Sequence, residues 1–152
     1  MRAMNAKRKK HRNRAGGRPE MFSRTVAVSS FSATVRIGAV HRRGEEPEVE
    51  SQPWLKLRGT LDEPVRGIQT VVISMYPRDK VEIGTARPAS IGAVIGMRQE
   101  MSVVLTWPQG DFGRVWAPAV GGLLKFGRLY FTTPRYNTGL VVSASFSNER
   151  EE

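Results

Sequence analysis

Apolar and polar positions alternate with a period of two over much of the chain, the pattern of β-strands with one buried face. Phe31, Ala33, Val35, Ile37 and Ala39 interleave with Ser32, Thr34, Arg36 and Gly38, while Val26 and Val28 upstream keep the opposite parity. One strand over 22–40 is expected, with a bulge near Ser29–Ser30, because one extra residue flips the set of side chains that faces the core. The polar stretch from His41 to Glu50 reads as a long exposed loop. A second strand over 54–61 places Leu55, Leu57, Gly59 and Leu61 on one face and Lys56, Arg58 and Thr60 on the other, and Asp62-Glu63-Pro64 is expected to stop it. Ile68, Val71, Val72, Ile73 and Met75 are nearly continuous, which predicts a central strand covered on both faces and closed by Pro77.

Residues 78–90 are ambiguous, with Val81 and Ile83 as a short edge strand. Further strands are expected at 91–97, 101–107, 123–132 and 140–147, with a hairpin loop at Pro134–Gly139 between the last two. The best helical segment is Asp111–Gly121, capped by Asp111, shortened by Pro118 and ended by Gly121-Gly122. Trp54, Trp107 and Trp116 are expected in or near the core. The fold class predicted is all-β: a single small β-sandwich or barrel of about 6–8 short antiparallel strands, with at most one short helix around 111–120.

Charge changes this picture at one end of the chain. The protein has 152 residues and a net charge of +10. Residues 1–20 carry Arg2, Lys7, Arg8, Lys9, Lys10, Arg12, Arg14 and Arg18 against Glu20, a net +7. So dense a run of like charges with little to bury is expected to be a disordered basic arm. Three parts follow: the arm at 1–20, a β-domain at 21–148 and an acidic tail at 149–152. Translation starting at Met21 would remove the arm altogether. No apolar run has the length of a membrane helix and none follows the basic N-terminus as in a signal peptide, so a protein away from the membrane is expected. Its expected place is the cytoplasm, or the nucleus of a eukaryotic cell.

The absence of cysteine excludes disulfides, thiolate-bound metals and thiol catalysis. Two histidines, His11 and His41, have no nucleophile motif near them, and Glu45, Glu46, Glu48 and Glu50 lack calcium-loop spacing. No phosphate-cradling glycine motif occurs. The expectation is a protein that is not an enzyme and takes no cofactor or metal.

Nucleic-acid recognition has the only patterned signal. Phe126, Arg128 and Tyr130 fall on one face of a strand, and an aromatic–cation–aromatic row of this kind suits base stacking. Arg135 and Tyr136 in the next loop extend it, Lys56 and Arg58 form a second basic face, and Lys7, Arg8, Lys9, Lys10, Arg12 and Arg14 supply sequence-independent phosphate contacts. The expected partner is DNA or RNA, single-stranded in preference. The competing expectation is a non-catalytic interaction or coat-like assembly domain, with a protein partner or a second copy joined through an edge strand.

Overall fold

The computed structural model describes residues 20–79 and 89–152. The expected arm and the expected edge strand at Val81–Ile83 therefore lie outside the described residues. Seven strands close into one barrel in the order β1-β2-β3-β5-β4-β7-β6. They are β1 (Met21–Val40), β2 (Glu48–Val65), β3 (Ile68–Arg78), β4 (Gly92–Met97), β5 (Met101–Pro108), β6 (Phe126–Thr132) and β7 (Gly139–Ser147). The seam pairs Met21–Ala27 antiparallel with Phe126–Thr132.

Inward positions of the alternating pattern fill the barrel. Leu55, Leu57 and Leu61 of β2 meet Val71, Ile73 and Met75 of β3, Met101, Val103 and Leu105 of β5, Leu129 and Phe131 of β6, and Val141 of β7. At the lower end, where β1 enters, Arg24 lies over the Phe22 ring at 5.0 Å and donates from Nε to the Glu63 carbonyl, so its long stem covers the core. At the upper end the nine-residue helix α1 (Phe112–Val120) turns Phe112, Val115 and Ala119 inward. Gly122 at φ +71 ends it, as the glycine pair predicts. Asp111 makes no capping bond, because its own backbone is already helical, and pairs instead with Arg114 at 3.5 Å.

Four details depart from the sequence reading. First, the strands are not all antiparallel: β5 of the β4–β5 hairpin docks between β3 and β4 and so runs parallel to β3. A parallel pair needs a long crossover, which the connection after β3 together with β4 provides. Second, β1 has 20 residues and β2 has 18, so these strands are not short. β2 begins at Glu48, inside the stretch expected to be loop, because β1 pairs with it as far as Val40↔Glu48. It also runs past Pro64 to Val65, with a register shift after Thr60, before Arg66 and Gly67 turn the chain at positive φ. Third, β3 is buried on its outer side only at Val72, the cross-strand partner of Arg58, whose guanidinium pairs with Glu100 at 2.7 Å, while Tyr76 is exposed. Fourth, Trp107 and Trp116 pack against the core but Trp54 does not.

The bulge in β1 stands where the parity change places it, between Val28 and Ser30. Beyond it, β1 leaves the barrel with only β2 as neighbour, and the two form a ribbon with its tip at 41–47. Phe31, Val35, Ile37 and Val49 on this ribbon are 41%, 53%, 71% and 77% exposed. The face expected to be half-buried is thus open. Helix α1 packs against β1 as well, yet these four side chains remain exposed.

Candidate nucleic-acid interface

Strand β6 is placed by two apolar anchors, Leu129 and Phe131, both fully buried. Their burial fixes the opposite parity outward, so Phe126, Arg128 and Tyr130 line the outer surface in a row. Arg128 lies over the Tyr130 ring at 5.9 Å and donates from Nε to the Ser23 hydroxyl at 3.2 Å. That ring contact and hydrogen bond hold the guanidinium against the sheet.

The strands on either side present only small outward side chains. Ser23, Thr25 and Ala27 of β1 stand opposite Tyr130, Arg128 and Phe126, and Ser143, Ser145 and Ser147 of β7 do the same from the other side. An aromatic–arginine–aromatic row is therefore flanked by two rows of mostly hydroxyl-bearing side chains. Small neighbours leave the ring faces accessible, and hydroxyls both donate and accept hydrogen bonds. The alternation Ser143-Ala144-Ser145-Phe146-Ser147 is the sequence signal for one of these rows, and the sequence reading did not use it.

Acidic groups border the surface. Asp62 Oδ1 accepts from the Thr25 backbone N–H at 3.1 Å, and Ser145 donates to Glu151 at 3.4 Å. The described residues hold fourteen Lys and Arg against thirteen Asp and Glu. The barrel surface is therefore nearly neutral, and most of the positive excess of the chain belongs to residues 1–19.

The structure brings some of the other sequence-selected residues to this region and leaves others apart. Lys56 and Arg58 are exposed on the outer side of β2, one strand beyond β1. Arg58 is already paired with Glu100, so its charge is largely neutralised. Arg135 and Tyr136 lie on the β6–β7 turn, below the row. This is a two-residue turn: Arg135 and Thr138 exchange backbone hydrogen bonds of 2.7 and 3.0 Å, with Tyr136 and Asn137 both at positive φ. Tyr136 is 96% exposed in this strained conformation and borders an open groove of about 740 Å³ whose other wall is the Met97–Glu100 turn. Lys7, Arg8, Lys9, Lys10, Arg12 and Arg14 lie outside the described residues, but their point of attachment is fixed. The Glu20 carbonyl accepts from the Thr133 N–H at 2.9 Å and from its hydroxyl at 3.2 Å.

Among the described residues, no group of three or more His, Asp or Glu side chains is arranged to hold a metal ion, and no helix is long and apolar enough to cross a membrane. No protein-family model, curated protein or solved structure matches the chain.

Proposed function

We propose that this protein binds single-stranded DNA or RNA without marked sequence preference. On this reading the basic N-terminal residues meet phosphates, and the outer face of β6 stacks bases on Phe126 and Tyr130. The observation that carries it is the tether at Glu20. Residues 1–19, with eight cations, are attached at Thr133, three residues along the strand from Tyr130, a separation of about 10 Å at the rise of an extended chain. A strand of nucleic acid held by those cations passes the aromatic row without any movement of the barrel. The near-neutral barrel surface divides the work: attraction comes from the N-terminal residues, and stacking from a face that is flat, partly apolar and bordered by acids. Such a protein works where nucleic acid is, in the cytoplasm or a eukaryotic nucleus.

The test is a salt titration of binding to a short single-stranded oligonucleotide. The full chain is compared with a chain beginning at Glu20 and with Arg128→Ala and Tyr130→Ala. If all eight cations meet phosphates, log K falls with log salt at a slope of roughly −7, and the shortened chain loses most of that slope. Each single substitution is expected to weaken binding by about 1–3 kcal/mol, with an unchanged thermal transition, since both side chains lie on the outer surface. Unchanged affinity in both variants would end the stacking role of this face. Absence of binding by the full chain would end the reading itself.

A further inference from the structure

The ribbon formed by β1 and β2 beyond the barrel has two unlike faces. One carries Phe31, Ala33, Val35, Ile37 and Ala39 of β1 with Val49, Ser51 and Pro53 of β2, which are paired Val35↔Pro53, Ile37↔Ser51 and Ala39↔Val49. This face has no charged residue. The other carries Ser32, Thr34 and Arg36 opposite Lys56, Trp54 and Gln52, with Glu48 and Glu50 nearer the tip. A two-stranded ribbon is marginal in water by itself, and this one exposes its apolar side over its whole length.

We propose that two copies of the chain associate through this face, ribbon against ribbon about a two-fold axis. Area and the lack of charge favour a second copy as the occupant. The exposed fractions of Phe31, Val35, Ile37 and Val49, with Ala33, Ala39 and Pro53 between them, amount to an apolar patch on the order of 450 Å², a size that on soluble proteins is often functional. A standard interface takes about 800 Å² from each partner, of which about 56–65% is apolar, so this patch is the apolar share of one such interface. An uncharged strand pair is matched by an identical one, as an isologous contact requires. In the antiparallel two-fold arrangement, the tip of one ribbon reaches the root of the other. A nucleic acid has nothing to pair with on a face that lacks any cation. The ribbon leaves the barrel at the end opposite Glu20, so this association and the proposed nucleic-acid binding succeed or fail separately.

Sedimentation of the full 16.9 kDa chain over a concentration series tests it. The expected result is a dimer that Ile37→Lys combined with Val49→Lys weakens by roughly a hundred-fold or more, as loss of central interface residues does, while Thr34→Lys on the opposite face leaves it intact. The chain has no cysteine, which allows a second measurement independent of how the lysine variant folds. Val35→Cys, at the middle of the ribbon and so near the axis, is expected to form a disulfide-linked dimer on oxidation, and Thr34→Cys is not. A monomer at every concentration with no cross-link through Val35→Cys overturns the proposal and makes the chain's own remaining residues the cover. A dimer that survives the double lysine substitution in a folded protein also overturns it, in favour of pairing along the free edge of β1.

Discussion

A methyl group at position 92 would collide with the Val104 carbonyl oxygen and fall 3.0 Å from Leu105 Cα, both of them backbone and unable to give way. Gly92 begins β4 where that strand passes closest to β5, so only a residue without a side chain lets the two pair. Gly92→Ala is expected to destabilise the protein by about 2–3 kcal/mol in a urea melt, the scale of an overpacked core, whereas Gly110→Ala, with nothing within 4 Å, shifts it by less than about 0.5 kcal/mol. The same reasoning from space available to each side chain separates the candidate interface residues. Arg128 is held by Ser23 and the Tyr130 ring and faces outward, whereas Arg58 spends its charge on Glu100. Both read alike in the sequence, as an arginine on the polar side of a strand. What tells them apart is the neighbour two strands away, which a local pattern does not contain.

At the scale of elements, alternation reports that a strand has two faces and leaves open what covers either one. Leu55, Leu57 and Leu61 are buried as expected because β2 there lies between β1 and β3. Phe31 to Ala39 obey the same period and stay exposed, because past the bulge β1 has lost β6 and keeps one partner. The strands, the bulge, the glycine-terminated helix and the Tyr136–Asn137 turn were legible because each depends on residues a few positions apart. The parallel β3–β5 pair was not, since it depends on which strand of the β4–β5 hairpin docks beside β3. The hydroxyl rows beside Arg128 needed the register of three strands, so the sequence showed the aromatic row without its surroundings. The ribbon contributes no fully buried side chain between 35 and 53. Replacing residues 35–53 by Asn-Gly, a two-residue turn that joins the paired Thr34 and Trp54, is therefore expected to leave the stability of the barrel as a dissociated monomer within about 1 kcal/mol by chemical denaturation.

For the whole molecule, the decisive contact is the seam between β1 and β6, which turns a sheet with two edges into a barrel with none below the ribbon. Leu129 is fully buried at this seam, and Leu129→Ala is expected to cost about 2–5 kcal/mol in thermal or chemical unfolding, the cost of a cavity that a closed barrel cannot collapse to fill. Closure also separates the two ends of the molecule: the N-terminal residues attach at one, and the apolar ribbon projects from the other. The seam joins one of the longest sequence intervals in the fold, Val26 to Gly127. During synthesis at roughly 5–20 residues per second, the roughly hundred residues between those positions take on the order of 5–20 s to appear, and β1 waits that long for its second neighbour. Throughout that interval the nascent chain carries an apolar hairpin with a free edge, the kind of surface that is prone to aggregate until its second neighbour arrives.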